Sequence, residues 1–240
     1  MRRTTVLVIV LMSAGLIAAV YLLRIGEVKV TGARTLSART VVEASGLRPG
    51  DRILWERLSV AERRVEQLPA VADVVAERSL PGTVILRIQE REPVVRLDTA
   101  PKLGVDADGV VFELGDREVK AVLTGWEGRA RPGRRVDRAS SIVLRAYEEF
   151  PPVLRIWARR LTVGPTFTLR LLGGPDIYFG GLRDLDVKAQ VAARIIEVET
   201  GTRLEYVDVR SPRVPVARPA GASPAPSGSP SPSPAALTAP

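Results

Sequence analysis

The acidic side chains that could do chemistry in this chain occur as two close pairs. Asp106 and Asp108 lie on either side of Ala107, and Glu148 and Glu149 are adjacent. Two carboxylates can act as general acid and general base when they face one another across a substrate. Aspartate is also the residue that a turn ending in glycine favours, and adjacent residues on a helix do not face each other. No partner residues accompany either pair, so we expect Asn at positions 106 and 108 to be tolerated with at most slight destabilisation.

The composition excludes several kinds of site. The chain has no cysteine and no histidine among its 240 residues. Disulfides, thiol catalysis, His-based triads and zinc sites built from Cys or His are therefore impossible. The chain also lacks a Gly-x-Ser-x-Gly nucleophile motif. The sequence therefore predicts a protein without enzyme activity, cofactor or metal.

An uncharged apolar run extends from Thr4 to Leu23, behind Arg2 and Arg3. About 20 residues of helix span about 30 Å, the thickness of the hydrocarbon core of a bilayer. A cleaved signal peptide would have a shorter apolar region and a small-x-small cleavage site, which Tyr21-Leu22-Leu23 does not provide. We therefore expect residues 1–3 in the cytoplasm, a transmembrane helix at 4–23, and the bulk of the chain outside the cytoplasm. Small residues at positions 14, 15, 18 and 19 leave a homodimer of anchors possible.

The net charge is +8, with 35 Lys and Arg against 27 Asp and Glu. Such a charge would permit nucleic-acid binding in a cytoplasmic protein, but we expect none outside the membrane. Five arginines fall in one Gly- and Pro-rich stretch: Arg129, Arg131, Arg134, Arg135 and Arg138. A basic loop is most often simply solvated, and attraction to anionic lipid or to a wall polymer is the alternative.

The region 25–93 predicts a compact βααββ unit. Glu27–Val30 alternates polar and apolar residues, which is typical of a short strand. Ser37 is expected to cap a first helix, and Ser59-Val60-Ala61-Glu62 has the pattern of a capping box for a second. Two further strands should flank Leu80-Pro81-Gly82, a turn in which Gly82 would adopt a positive φ.

The region 94–217 predicts a mixed β-sheet domain with flanking helices. Asp106-Ala107-Asp108-Gly109 separates two short apolar segments and indicates a hairpin. The later predicted strands are 119–123, 154–158, 167–172, 177–179 and 204–209, and the predicted helices are 139–150 and 185–200. In the second helix the apolar stripe is Val187, Val191, Ile195 and Val198. Residues 218–240 are rich in Pro, Ser and Ala and are expected to form a disordered tail. The fold class is therefore α+β.

Five short motifs, in this order behind a single anchor, resemble the FtsQ/DivIB cell-division family. In that family an anchor precedes a POTRA domain and then a β-domain. The motifs are Val28–Gly32, Leu68–Val71 with Arg78–Val84, Glu90-Arg91-Glu92-Pro93-Val94-Val95, Val105–Phe112 and Tyr206-Val207-Asp208-Val209-Arg210. The chain departs from the family at Ala70, where an aromatic residue is common.

The resemblance implies a non-enzymatic scaffold of the division machinery. It implies a single-pass protein of the plasma (inner) membrane at the division septum, with FtsB/DivIC-like and FtsL-like proteins as partners. The implied mode of contact is addition of a partner strand to an exposed sheet edge. A POTRA-bearing component of envelope secretion or assembly is the alternative function.

The last structured segment is the candidate for partner binding. Tyr206–Arg210 alternates as a strand does, and the following Ser211–Ala217 contains two prolines. Proline donates no backbone hydrogen bond and is tolerated at sheet edges, so we expect an edge strand around Val214 and Val216. The candidate partner-binding residues are Tyr206, Val209, Arg210, Val214 and Val216, and the resemblance places the family's partner site beside this region.

Overall fold

The computed structural model describes residue 6, residues 9–15, residue 17 and residues 23–54, 56–199 and 201–221. Most of the predicted membrane span and the predicted tail from residue 222 lie outside these residues. Val6, residues 9–15 and Ile17 are helical. Within the described part of the chain, no helix combines the length and the apolar character needed to cross a membrane.

Two sheets organise the chain from Glu27 to Pro219. The helices are α1 (Ala38–Ser45), α2 (Leu58–Val65), α3 (Arg138–Glu148), α4 (Pro152–Ile156) and α5 (Leu185–Val198). The strands of the first sheet are β1 (Glu27–Thr31), β2 (Val71–Ser79) and β3 (Thr83–Glu90). Those of the second are β4 (Val95–Leu97), β5 (Leu103–Val105), β6 (Val111–Glu113), β7 (Val122–Thr124), β8 (Ala158–Thr162), β9 (Phe167–Leu171), β10 (Asp176–Gly180), β11 (Leu204–Asp208) and β12 (Val216–Pro219).

The first domain contains β1, α1, α2, β2 and β3, so the predicted βααββ order is confirmed. Its sheet has the order β1-β3-β2, with β1 parallel and β2 antiparallel to the central β3. Val84, Leu86 and Ile88 of β3 are buried together with residues of both helices, because alternate residues of a strand face the same side. Val28 and Val30 of β1 pack against this core but are only half-buried.

Two local predictions in the first domain are wrong. The helix α2 begins at Leu58 without a side-chain cap, and Glu62 of the predicted capping box instead accepts a hydrogen bond from the N–H of Ala76 at 2.8 Å. A tertiary contact with β2 therefore replaces the local one. Gly82 does not have a positive φ. It is needed for space, since an added Cβ would lie 2.9 Å from the carbonyl oxygen of Arg24.

The second domain is a mixed sheet of nine strands in the order β12-β11-β10-β9-β8-β7-β4-β5-β6. The pairs β4–β7, β7–β8 and β10–β11 are parallel, and the other pairs are antiparallel. One face packs against α3, α4 and α5 and contains a large apolar core, which includes Phe150, Phe167 and Phe179. The predicted Asp106–Gly109 hairpin joins β5 to β6, and Gly109 has a φ of +80°.

Two predictions in the second domain are corrected by the structure. Residues 154–158, predicted as a strand, mostly form α4, with Pro152 in its first turn, where proline needs no hydrogen-bond partner. The strand β8 follows directly. In α5 the predicted stripe is not the buried one, since Val187 and Val198 are 46% and 66% exposed. The helix buries Leu185, Lys188, Ala189, Ala192 and Ala193, because small side chains allow it to lie close to the sheet.

Glu90 ends the first domain and holds the loop before α1. Its carboxylate accepts hydrogen bonds from the N–H groups of Arg34, Thr35 and Leu36 at 2.8–2.9 Å, and from the Thr35 hydroxyl at 2.6 Å. Burial disfavours the charged form, but the hydrogen bonds from Leu36, Thr35 and Arg34 outweigh it and lower the pKa of Glu90 to about 2. The carboxylate therefore stays ionised at any physiological pH.

Arg91 joins the two domains. Its guanidinium lies 2.6 Å from Oδ2 of Asp106, and the other oxygen of Asp106 accepts the N–H of Val110 at 2.7 Å. Asp106 is only 7% exposed. Arg117 donates to the carbonyl of Arg91 at 2.8 Å. Two of the motifs recognised in the sequence therefore meet in one part-buried ion pair that connects the end of β3 to the β5–β6 hairpin.

Candidate partner-binding edge

The strand β12 forms one edge of the nine-stranded sheet and, among the residues that the structure describes, pairs with β11 alone. The pairing is antiparallel, with Arg218 opposite Tyr206 and Val216 opposite Asp208. An edge strand around Val216 was predicted, although β12 begins after Val214. It also extends through Arg218 and Pro219, so the predicted start of the tail at residue 218 falls inside the sheet.

The direction of the backbone groups in β12 can be assigned from one contact. The N–H of Ala220 donates to the carbonyl of Arg203 at 2.7 Å and so points toward β11. Backbone groups alternate in direction along a strand. Residues 216 and 218 therefore also direct their backbone groups toward β11, and residues 215, 217 and 219 direct theirs away from the sheet.

This alternation explains the two prolines. Pro215 and Pro219 occupy outward positions, where a missing N–H removes no hydrogen bond to β11. Ala217 lies between them and is the residue of this strand that keeps an outward N–H. The free edge therefore offers that donor together with the outward carbonyls of positions 215, 217 and 219. A strand laid along β12 could form only a few backbone hydrogen bonds, and Ala217 is central to them.

The solvent-facing side of β10, β11 and β12 presents two cross-strand rows. Asp176, Tyr206 and Arg218 are opposite one another in register, and so are Tyr178, Asp208 and Val216. The rings of Tyr178 and Tyr206 lie 5.8 Å apart at 60°. This face presents two tyrosines and Arg218, and tyrosine and arginine are residue types that are enriched in protein interfaces.

Arg210 is held at this face by Asp208. Its Nε and Nη2 donate to the Asp208 carboxylate at 2.6–3.0 Å. These hydrogen bonds lower the pKa of Asp208 and raise that of Arg210. The aliphatic part of Arg210 lies over Gly180, where an added Cβ would be 2.9 Å from its Cγ. The Arg210 side chain is 66% exposed, so its guanidinium is oriented but remains accessible.

The buried side chain of Lys188 also supports this region, and the sequence did not predict that role. Its Nζ is buried and donates to the carbonyls of Phe179 and Gly181, at 3.0 and 2.9 Å. These carbonyls flank Gly180, over which Arg210 lies. The sequence did contain one indication that Lys188 is buried, since position 188 shares a helical face with Leu185, Ala189 and Ala192. A lysine is mostly exposed, however, so the residue type indicated the opposite.

The structure separates the five predicted residues into three groups. Tyr206, Arg210 and Val216 lie on the solvent-facing side near the β12 edge. Val214 is 72% exposed in the turn before β12. Val209 is completely buried in the core and is not available to a partner in this conformation.

The carboxylates considered for catalysis have structural partners. Asp106 pairs with Arg91, and Asp108 pairs with Arg145 at 3.0 Å on the surface. Among the described residues there is no group of three or more Asp or Glu arranged to hold a metal ion. The two aspartates therefore shape the β5–β6 hairpin.

Two family models match the chain, and the boundary between their matched regions coincides with the boundary between the two sheets. Residues 23–91 match the model of the FtsQ-type POTRA domain. Residues 94–210 match the model of the C-terminal region of the cell division protein FtsQ/DivIB. The first match ends at Arg91, and the second ends before β12.

Several relatives named cell division protein FtsQ align with the chain. The relative from Corynebacterium glutamicum is 31% identical over 121 residues, which are 50% of this chain and 50% of the relative. The relative from Streptomyces venezuelae is 27% identical over 211 residues, 81% of this chain and 74% of the relative. The relative from Mycobacterium leprae is 27% identical over 196 residues, 80% of this chain and 55% of the relative. The aligned region thus spans about half the length of the C. glutamicum relative.

Proposed function

Because the chain belongs to the FtsQ/DivIB family of cell-division proteins, we propose that it is a non-enzymatic scaffold of the division machinery. In this role the second domain captures an FtsB/DivIC-like protein and, with it, an FtsL-like protein. The family match favours this function over the alternative of a secretion or assembly component. The observation that carries the proposal is the β12 edge, with its outward Ala217 N–H and the exposed Arg210 beside it.

The proposed contact is addition of a partner strand to β12. The backbone of the partner would accept from Ala217 and donate to the outward carbonyls. Its side chains would lie along Tyr206, Val216 and Arg210. An acidic side chain of the partner would suit Arg210, whose guanidinium is only partly used by Asp208.

We further propose that the chain is an inner-membrane protein with a cytoplasmic N-terminus and that it acts at the septum. Its support is the uncharged run from Thr4 to Leu23 behind Arg2 and Arg3, together with the family. A fluorescent fusion should form a band at midcell before constriction. A uniform envelope signal throughout the cell cycle would contradict this placement.

Replacement of Ala217 by proline tests the edge directly. The change removes the outward N–H and places a ring against the incoming strand, while the bonds from β12 to β11 stay intact. Capture of the FtsB/DivIC-like partner by the full chain should weaken at least about tenfold, since backbone bonds and close approach are both lost.

The matched control is Ala217→Val, which keeps the N–H and suits a strand. It should capture the partner within about twofold of the unchanged chain, a difference well below 1 kcal/mol. Circular dichroism should show both variants folded. Undiminished capture by a folded Ala217→Pro variant would refute strand addition at β12.

A further inference from the structure

A second surface of the β-domain is strongly basic and takes no part in the β12 edge. We call it the arginine surface, and its residues are Arg129, Arg131, Arg134, Arg135, Arg138 and Arg145. All six side chains are exposed. Arg135 and Arg145 contact Asp108, while the side chains of the other four have no hydrogen-bond or ion-pair partner within the described ranges. Arginines that are left unpaired in this way are free to receive an anionic ligand.

The backbone under these arginines is fixed. The N–H of Gly133 donates to the carbonyl of Val111, and the N–H of Val111 donates to the carbonyl of Arg134, both at 2.8 Å. The N–H of Val136 donates to the carbonyl of Gly109 at 2.9 Å. The segment therefore lies along β6 and covers the edge of the sheet opposite β12. A ligand would meet backbone that is already ordered, which lowers the entropy cost of binding.

The single acid of the segment does not neutralise it. Asp137 caps α3, accepting from the N–H and hydroxyl of Ser140 at 2.9 and 2.7 Å and from the N–H of Glu127 at 3.1 Å. Beyond Asp137, Arg135, Arg138 and Arg145 line an open groove of about 380 Å³ together with the acids Asp108 and Glu149, so three arginines face two carboxylates there. The positive charge therefore continues from the loop along the exposed side of α3.

We propose that the arginine surface binds a phosphodiester polymer of the cell envelope. The planar guanidinium presents paired donors that match phosphate oxygens, and a row of such groups fits an anion with repeated charges. The proposal depends on the extracytoplasmic placement proposed above, but polymer binding by the purified chain is measured independently of that placement.

The position of the surface favours a polymer over lipid head groups. A Cβ added at Gly133 would lie 3.6 Å from Cγ of Pro69, which lies two residues before the start of β2. The predicted membrane anchor ends at Leu23, and Gly26 bonds to Gly82 beyond the other end of β2. The nine residues of β2 span about 26 Å. That separation is about three Debye lengths at physiological salt, so the predicted anchor does not by itself hold the arginine surface within the electrostatic range of the bilayer.

The test compares two triple variants of the full chain in nanodiscs of neutral phosphatidylcholine. The first is Arg129→Gln, Arg131→Gln and Arg134→Gln. The control is Arg63→Gln, Arg159→Gln and Arg183→Gln, which removes the same charge at exposed arginines elsewhere. Binding of labelled poly(glycerol phosphate) is measured by fluorescence anisotropy at several salt concentrations, after circular dichroism has shown that both variants are folded.

The unchanged chain should bind with an affinity that falls as salt rises. The loop variant should lower the slope of log K against log salt by about 2, at roughly 0.7 per lost phosphate contact. The control should leave the slope nearly unchanged. Replacement of the three loop arginines by lysine should weaken binding less than Gln does, because charge remains while the paired donors are lost.

Four results would overturn the proposal. Absence of binding at low salt, or an equal loss in both triple variants, would show that the loop is not a site. Equal, loop-dependent binding of poly-glutamate would assign the surface to an acidic protein partner. Loop-dependent binding to nanodiscs containing phosphatidylglycerol, without binding of the polymer, would assign it to the membrane.

Discussion

Asp106 and Asp108 are two residues apart in one turn, yet their environments differ completely. Asp106 is buried with Arg91, whereas the Asp108–Arg145 pair has side chains that are more than half exposed. The sequence showed two aspartates before a glycine and gave no means of distinguishing them. The structural role of both was predictable from turn chemistry, but the partner of Asp106 was not, because Arg91 belongs to the preceding domain.

We predict that Asp106→Asn lowers the free energy of unfolding by about 2–4 kcal/mol, because it leaves the part-buried Arg91 without a counter-charge. This revises the expectation of slight destabilisation at most. Asp108→Asn should cost less than about 1 kcal/mol, as exposed pairs do. Urea unfolding of both variants measures the difference, and equal small losses would show that the Arg91 pair contributes little.

Glu90 makes the stability of the first domain sensitive to acid. Its pKa falls from 4.5 to about 2 on folding, so its hydrogen bonds contribute full stability above about pH 4.5. The contribution is lost as the pH falls from 4.5 through 2, because protonation removes the charge that these bonds favour. Asp208 also has a lowered pKa but lies in the second domain.

We predict that Glu90→Gln flattens the dependence of stability on pH between 4.5 and 2, the range given by the two pKa values. The measurement is thermal unfolding across that range. Glu77→Gln is a suitable control, since its exposed pair with Arg87 should leave the dependence almost unchanged. An unaltered pH profile in the Glu90 variant would show that these hydrogen bonds do not stabilise the fold.

At the scale of elements, alternation and turn residues predicted the strands better than they predicted helix faces. β3 and the β5–β6 hairpin follow period-2 patterns and turn chemistry, and both are where the sequence placed them. α4 was misread because a short apolar run after Pro152 is compatible with either a helix or a strand. In α5 the valines are more hydrophobic than the alanines, yet close packing on the sheet selects the small residues.

Through Lys188, the helix α5 supports the turn at Gly180 beside the candidate partner-binding edge. We predict that Lys188→Met destabilises the chain by about 1–2 kcal/mol, because two carbonyls next to Gly180 lose their buried donor. Partner capture should weaken as well, since Arg210 lies over this turn. The control Val187→Ala changes an exposed neighbour and should stay within about 0.5 kcal/mol. A Lys188→Met variant with unchanged stability and capture would remove the residue from the site.

At the scale of the whole molecule, the two edges of the nine-stranded sheet differ in how they are covered. The β6 edge is covered by the arginine-rich segment, which bonds to Val111, whereas no segment within the described part of the chain pairs with the outer side of β12. The open edge could be predicted because proline is tolerated only where no ladder bond is needed. The exclusion of Val209 could also have been predicted, since the alternation of Tyr206-Val207-Asp208-Val209-Arg210 places Val207 and Val209 on the face opposite Tyr206, and both valines are buried.

Truncation tests the open edge at the level of the whole chain. Removal of everything after Arg210 deletes β12 and exposes β11, so we predict loss of partner capture while the first domain stays folded. Removal of everything after Gly221 keeps β12 and the bond from Ala220 to Arg203, so capture should remain within about twofold. A cut before Pro219, one residue into the predicted tail, should weaken capture because it shortens β12 and removes that bond. Pull-down of the FtsB/DivIC-like partner by the three chains measures the order. Full capture by the chain that ends at Arg210 would place the partner on another surface.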